Sequence, residues 1–391
     1  MTMNNDKRTQ DNFKFETSAI HDGLEWNNET GAVIPPVYLT STFEHGNPGG
    51  FDYTRSGNPN FRNLEAALSS LERAKYATVF ASGVSAITAI VSTLKSGDCV
   101  IAEENVYGCT FRLFDQVFEK FGVTVSYYDF TDLGNCRHIT EEKPALVWIE
   151  SPTNPLLKVL DIAAIAKGTR QAGSCLVVDN TFASSYLQQP LELGADLSLL
   201  STTKYSSGHS DCLGGAVCTN DSTWQEKMIF AQKALGLQPS PFDSWLVSRG
   251  LKTQAVRMER HSTNALALAE FLENLQNIEM VRYPFLKSHP QYDVAKGQMS
   301  GGSGIVTADF GLSLEATMQF CKALKLFTLA ESLGGVESLV CHPASMTHAS
   351  VPRDVREQVG ITDSLVRFSV GIEHIDDLIA DVQQALEQVA P

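Results

Sequence analysis

The stretch CLVVDNTFASSYLQQPLELGADLSLLSTTKYSSGHS (175–210) decides the fold. Its two apolar runs, CLVVDN (175–180) and LSLLST (197–202), are short and nearly continuous, which is typical of buried β-strands. The chain between them is too long for a hairpin turn, so it predicts a crossover between parallel strands. Strands of this kind occur in parallel sheets that are covered by helices on both faces.

The same alternation extends upstream to about residue 60. Four further runs predict strands: ATVFA (77–81), CVIAE (99–103), VTVSYYD (123–129) and ALVWIE (145–150). Helical patterns lie between the runs, at FRNLEAALSSLE (61–72), VSAITAIVSTL (84–94), TFRLFDQVFEKF (110–121) and DIAAIAKGTRQAG (161–173). We therefore predict an α/β domain with a mainly parallel sheet over residues 56–250.

The pattern changes after Gly250. Helices are predicted at 261–276, 314–326 and 376–390, and strands at 304–310 and 365–371. This mixture indicates a smaller α+β domain over residues 251–391. Residues 1–55 carry little regular pattern and contain Pro35-Pro36, so they are predicted to form an extended arm.

Acidic residues outnumber basic ones by 45 to 30, which gives a formal net charge of −15. Nucleic acids and anionic membranes need clustered Lys and Arg, so neither is expected as a partner. No segment approaches the ~20 apolar residues of a spanning helix, and the polar N-terminus lacks a signal-peptide core. The eight cysteines show no metal-ligand spacing, and His209 with Asp211 makes too small a ligand set. A cytoplasmic protein without a metal is expected.

Polar residues follow the apolar runs at the carboxyl edge of the predicted sheet, where parallel sheets bind ligands. Asp179 lies at the end of one run, and Ser201, Thr203 and Lys204 lie at the end of the next. A lysine that is desolvated at a strand end has a lowered pKa and forms Schiff bases with aldehydes. Pyridoxal phosphate needs such a lysine, a carboxylate for its ring nitrogen and an anion site. Lys204 and Asp179 meet the first two needs.

The anion site is predicted at Ser82-Gly83, where a helix begins with free backbone amides. The hydroxyl groups of Ser201 and Thr203 are expected to complete it. Tyr107 lies in the loop after CVIAE and offers an aromatic face for the ring. Singly, each feature has a commoner explanation as a helix cap or a solvated charge. Together they fit one cofactor, so we predict a pyridoxal-phosphate enzyme. A non-catalytic scaffold of the same fold is the alternative, and GxSxG, GxGxxG and GxxxxGK[ST] motifs are missing.

These residues belong to longer motifs that resemble the Cys/Met-metabolism family of pyridoxal-phosphate enzymes, from about residue 15 to the C-terminus. The motifs are YTRSGNP (53–59), FASG (80–83), ESPTNP (150–155), VVDNTF (177–182), TKYSSGHSD (203–211), RGLKT (249–253), TLAESLGGVES (328–338), MTHAS (346–350) and LVRFSVGIE (365–373). The resemblance implies fold type I, which is aspartate aminotransferase-like, with a mainly parallel seven-stranded sheet. It also implies a homotetramer built from dimers, with active sites shared between subunits.

The resemblance further assigns residues to roles. Lys204 would carry the cofactor covalently, Asp179 would pair with the pyridinium nitrogen, and Tyr107 would stack on the ring and act as general acid or base. The phosphate would be held by Ser82, Gly83, Val84, Ser201 and Thr203, and by Tyr53 and Arg55 of the neighbouring subunit. The substrate would be held by Arg367, Asn154 and Ser332 at its α-carboxylate and by Arg112 and Glu331 at its far end.

Among the reactions of this family, the resemblance favours α,γ-elimination of L-cystathionine to L-cysteine, 2-oxobutanoate and ammonia. Glu331 and Arg112 would match the ammonium and carboxylate at the far end of that substrate, whereas the methyl group of methionine would gain nothing from either charge. Three alternatives stay open. They are γ-replacement of O-succinyl- or O-acetylhomoserine by cysteine, γ-elimination from methionine, and β-elimination from cystathionine.

Overall fold

The computed structural model describes residues 13–24, 30–276, 278–347, 349 and 353–389. The predicted arm is therefore only partly described, and His348 and Ser350 of the MTHAS motif lie outside the described residues. Within the arm, helix α1 (Phe15–His21) forms where extended chain was predicted. No helix within the described ranges is both long and apolar enough to span a membrane.

The larger sheet has seven strands: β1 (Tyr76–Phe80), β2 (Cys99–Glu103), β3 (Thr124–Tyr128), β4 (Leu146–Glu150), β5 (Cys175–Asp179), β6 (Leu197–Leu200) and β7 (Gly215–Thr219). Their spatial order is β1-β7-β6-β5-β4-β2-β3. Strand β7 runs antiparallel to both neighbours, and the other pairs are parallel. The prediction of a mainly parallel sheet is confirmed. The predicted apolar runs correspond to β1–β6, whereas β7 was missed because it begins with glycine, a residue that is depleted in strands.

Helices cover both faces of this sheet: α2 (Pro59–Leu71), α3 (Gly83–Val91), α4 (Gly108–Arg112), α5 (Cys136–Glu142), α6 (Ile162–Ala172), α7 (Ser184–Leu187), α8 (Ser222–Ala234) and α9 (Pro241–Leu251). The helix predicted at 110–121 departs from regular geometry, because α4 continues as a π-helical turn (Leu113–Phe118) and a 3-10 turn (Glu119–Phe121). Apolar side chains of the strands pack against these helices on one face around Trp148 and on the other around Ile149, and both residues are fully buried.

The second sheet has five strands in the order β10-β11-β12-β9-β8. They are β8 (Met280–Arg282), β9 (Ile305–Asp309), β10 (Thr328–Leu329), β11 (Leu339–Cys341) and β12 (Leu365–Ser369). The helices of this region are α10 (Gln254–Glu273), α11 (Tyr292–Gln298), α12 (Leu314–Ala323), α13 (Arg353–Gln358) and α14 (Ile375–Glu387). The predicted domain boundary near residue 250 lies at the end of α9 and stays a prediction.

Candidate active site

Lys204 lies in the turn that follows β6. Its backbone N–H donates to the Ser201 carbonyl at 3.1 Å, and its carbonyl accepts the Gly208 N–H at 2.8 Å. The side-chain Nζ donates to Ser332 Oγ at 2.7 Å. Burial, reinforced by the positive charge of Arg367, lowers the pKa of Lys204 to about 8. A larger share of the amine is therefore neutral, and nucleophilic, near neutral pH than in a solvated lysine.

Asp179 ends β5, the strand beside β6. Its Oδ1 accepts the Thr181 N–H at 3.0 Å, and Thr181 Oγ1 accepts the Ser201 N–H at 2.8 Å. Thr181 thus ties the two strand ends together. The sequence interpretation missed this role, although a position two residues after an Asp is typical of Asx turns. Burial raises the pKa of Asp179 to about 6. A cationic ring nitrogen beside this carboxyl group would favour its ionised form.

The start of α3 forms a cradle beside these strand ends. Ser82 caps the helix, because its Oγ accepts the Ser85 N–H at 3.0 Å. A Cβ at Gly83 would lie 2.9 Å from Ser201 Cβ, so only glycine lets the helix approach that residue so closely. Val84 follows in the first turn, where backbone amides have no helical acceptor. The cradle suits an anion.

Thr203 also lies in the lysine turn, and its role as a phosphate ligand stays a prediction. Its Oγ1 accepts the Gly214 N–H at 3.0 Å and donates to the Gly214 carbonyl at 3.2 Å. In this arrangement the hydroxyl fixes the lysine turn against the segment that leads into β7.

Arg367 projects from β12 and is 2% exposed. One terminal nitrogen donates to Asn154 Oδ1 at 2.8 Å, and the other donates to the Ser332 carbonyl at 2.9 Å. Its buried Nε has no hydrogen-bond partner in the described structure. Ser332 has a φ of +94°, an unfavourable backbone conformation for serine. Its hydroxyl contacts the lysine while its carbonyl accepts from the arginine. The unpaired Nε–H of this guanidinium is suited to donate a hydrogen bond to a substrate carboxylate.

Tyr107 immediately precedes α4. Burial raises the pKa of Tyr107, and Cys109 and the negative charge of Glu331 raise it further, whereas the positive charge of Arg112 opposes the rise. Arg112 also donates to Cys109 Sγ at 2.8 Å. The structure therefore brings the two predicted far-end residues, one of each charge, within electrostatic range of the Tyr107 hydroxyl. A high pKa keeps this hydroxyl protonated, as a proton donor requires.

Tyr53 and Arg55 are exposed and stand apart from this group within the chain. The Arg55 guanidinium lies 5.5 Å from the centre of the Tyr53 ring. It also donates to the Lys233 carbonyl of α8 at 3.3 Å. These contacts leave the predicted role of both residues in a neighbouring subunit untested.

Glu150 is a site residue that the sequence interpretation passed over. It ends β4, is buried, and accepts the Tyr107 N–H at 2.6 Å through Oε1. In the sheet it is the register partner of Asp179. Its position at the end of an apolar run, like that of Asp179, was the signal that could have identified it.

The lowered pKa of Lys204, the Asp179 carboxyl group and the cradle at Gly83 fit pyridoxal phosphate. Sheet and site together define a pyridoxal-phosphate-dependent enzyme of fold type I. The chain belongs to the family of Cys/Met metabolism PLP-dependent enzymes, whose model matches residues 16–387. The fold, the cofactor and the enzymatic nature expected from the sequence are confirmed.

Similar proteins carry several names within this family. A cystathionine gamma-lyase of Dictyostelium discoideum is 49% identical, with 96% of this chain and 98% of that protein covered. A cystathionine beta-lyase of Lactococcus lactis subsp. cremoris is 46% identical, with 95% and 99% covered. The crystal structure of a cystathionine gamma synthase from Xanthomonas oryzae pv. oryzae, in complex with aminoacrylate and cysteine, superposes with a TM-score of 0.94 at 39% identity, with 97% and 99% covered.

Proposed function

We propose that this enzyme cleaves L-cystathionine by α,γ-elimination, taking up one water and releasing L-cysteine, 2-oxobutanoate and ammonia. The observation that carries the proposal is the pair of opposite charges, Arg112 and Glu331, that act on the Tyr107 hydroxyl. The far end of cystathionine bears a carboxylate and an ammonium group, which need complementary charges when they leave water. Similarity to a cystathionine gamma-lyase supports the same reaction.

The cofactor would be held by Lys204, Asp179 and Thr203 and by the cradle at Ser82, Gly83, Val84 and Ser201. Thr203 also supports the lysine turn. When bound, pyridoxal phosphate supplies an electron sink for the negative charge that develops at Cα of the amino acid. Asp179 would keep that sink effective by stabilising a protonated ring nitrogen.

Protons are handled by two residues of the chain. The Lys204 amine would take the proton from Cα, because burial leaves it partly neutral near pH 8. Its hydrogen bond to Ser332 Oγ orients Nζ towards the side of the site that carries Arg367. A second proton would then leave Cβ, so that the Cγ–S bond can break, and the Tyr107 hydroxyl would donate a proton to the departing sulfur.

Arg367 would fix the substrate through its α-carboxylate. Asn154 and Ser332 hold the terminal nitrogens in place, and Nε is free to donate to an incoming carboxylate oxygen. A guanidinium that is already anchored loses little conformational entropy when it binds.

We also propose a homotetramer built from dimers, in which Tyr53 and Arg55 reach the phosphate of a neighbouring subunit. Exposed apolar side chains in the same N-terminal region support a contact between subunits, since Leu39 is 73% and Val33 is 64% exposed. The cytoplasmic location and the division into an arm and two domains likewise stay predictions.

A parallel assay of the purified enzyme tests the reaction. The substrates are cystathionine, methionine, and O-succinyl- or O-acetylhomoserine with cysteine. We expect 2-oxobutanoate and cysteine from cystathionine as the fastest reaction. Pyruvate with homocysteine would indicate β-elimination, and turnover of the homoserine esters alone would indicate γ-replacement. Either result would refute the proposal.

A further inference from the structure

Three parallel strands of the larger sheet end in acidic residues. Glu103, Glu150 and Asp179 are the last residues of β2, β4 and β5, which are neighbours in the sheet. Glu103 accepts the Phe130 N–H at 2.9 Å and lies 3.5 Å from the Lys158 ammonium, so it belongs to an ion cluster at the sheet edge. Asp179 is assigned to the cofactor ring. Glu150 lies between them and has no part in the proton steps proposed above.

The contacts of Glu150 join two parts of the site. Its Oε1 accepts the Tyr107 N–H at 2.6 Å, across 43 positions of sequence. That amide begins the turn that leads into α4, where no helical acceptor is available. On its other side Glu150 is the register partner of Asp179 in the parallel ladder. The side chain is 5% exposed, so the bond to Tyr107 is shielded from water.

We propose that Glu150 is a positioning residue, which fixes the Tyr107 backbone relative to the strand that carries Asp179 and so sets where the Tyr107 side chain meets the bound cofactor and substrate. The proposal rests on the pyridoxal-phosphate chemistry of the proposed function. The position of the acceptor oxygen fixes the Tyr107 backbone, and the charge of the carboxyl group does not contribute.

The surroundings of Glu150 favour its neutral form. Burial, together with the negative charges of Asp179 and Glu103, raises the pKa of Glu150 well above its ordinary value, and the bond from Tyr107 opposes this only in part. A glutamine is consequently a close mimic, because it is neutral and keeps an oxygen at the same reach. An aspartate keeps the acid but is one methylene shorter, which withdraws the oxygen from the Tyr107 amide.

The experiment compares Glu150→Gln with Glu150→Asp. Amide hydrogen exchange of the peptide containing Tyr107 is measured in cofactor-free enzyme, and visible circular dichroism and kcat are measured in enzyme loaded with pyridoxal phosphate. For Glu150→Asp we expect amide exchange in the Tyr107 peptide to accelerate about tenfold and the cofactor dichroism to change. We also expect kcat to fall about tenfold or more with little change in KM, because small misplacements at a reacting centre are costly. Glu150→Gln should stay within about threefold of the parent in each measurement.

Glu65→Asp is the matched control. Glu65 also ties a backbone amide, the Val79 N–H at 3.2 Å, but that amide belongs to β1, which three strands separate from β4. The shorter side chain in Glu65→Asp should leave amide hydrogen exchange at Tyr107 and the cofactor dichroism unchanged.

A Glu150→Gln variant as defective as Glu150→Asp would overturn the proposal, since the charge would then matter. Parent-like exchange and dichroism in Glu150→Asp would overturn it as well. Both signals are recorded without substrate. Failure of the parent enzyme to cleave cystathionine would therefore refute the proposed reaction alone.

Discussion

The substitution Arg367→Lys tests the carboxylate clamp most directly. In the structure the guanidinium has two terminal nitrogens bonded to Asn154 and Ser332 and a free Nε. A lysine retains one positive charge on a single nitrogen, so it cannot keep both anchors and still meet the substrate. We expect the loss of two charge-assisted hydrogen bonds, one from Nε to the substrate carboxylate and one from a terminal nitrogen to its anchor, each contributing about 1.5 kcal/mol or more. The sum of about 3 kcal/mol corresponds to a fall of about 150-fold in kcat/KM.

The assay follows kcat and KM with several amino-acid substrates, alongside the visible absorption of the bound cofactor. We expect kcat/KM to fall for each substrate, because all carry the same α-carboxylate, while the cofactor absorption is retained. Arg282→Lys is the matched control. Arg282 and Arg367 both pair with Thr307 of β9, from opposite sides, so the control makes the same replacement at the same level of the same sheet. It should change kcat/KM by less than about twofold.

Two results would contradict this reasoning. If Arg367→Lys retains the parent kcat/KM, the guanidinium does not bind substrate and its hydrogen bonds are purely structural. If the cofactor absorption is lost in parallel with activity, the residue supports the fold of the site rather than the α-carboxylate.

Three further predictions follow from the site. Lys204→Ala should abolish both turnover and the visible absorption of covalently bound cofactor; normal activity would remove the assignment of this lysine. Asp179→Ala should retain the cofactor yet lower kcat by about 100-fold or more, because the electrostatic support of the ring nitrogen is lost, and unchanged kcat would count against that role. Mixing inactive Arg55→Ala and Lys204→Ala chains should restore part of the activity if sites are shared, since some hybrid sites carry neither lesion; verified hybrids without activity would exclude sharing.

The pH dependence of cofactor capture follows from the lowered pKa of Lys204, about 8. The neutral amine reacts, so capture of pyridoxal phosphate by cofactor-free enzyme should accelerate as pH rises through this value and then level off. Between pH 7 and pH 9 we expect a rise of about tenfold, whereas a lysine with an ordinary pKa of ~10.4 would give about 100-fold without levelling. Stopped-flow absorbance distinguishes the two curves. A hundredfold rise would show that Lys204 is not desolvated.

Much of the fold was predictable because the parallel strands are buried on both faces. Runs such as CVIAE and CLVVD therefore carry continuous apolar residues, and the sequence marks them within a residue or two of the observed β2 and β5. Strands β8, β10 and β11 have two or three residues each and were missed, since such short segments give no detectable period. The interrupted helix after Tyr107 was also missed, because its π-helical turn retains a helical pattern of apolar residues.

The site was predictable where its residues end long strands, and less so where loops bring them together. Asp179 and Lys204 follow apolar runs, so the rule that ligands bind at strand ends identified them from residue chemistry alone. The bond between Lys204 and Ser332 joins positions 128 apart, and Ser332 takes part through a left-handed backbone conformation that no local pattern announces. Resemblance to a family supplied that residue, but it assigned no role to Glu150, the first residue of the ESPTNP motif. From the sequence, a glutamate at the end of ALVWIE is expected to mark the point where a strand becomes exposed to water. The packed sheet shows instead that Glu150 is buried and accepts a hydrogen bond from the Tyr107 amide.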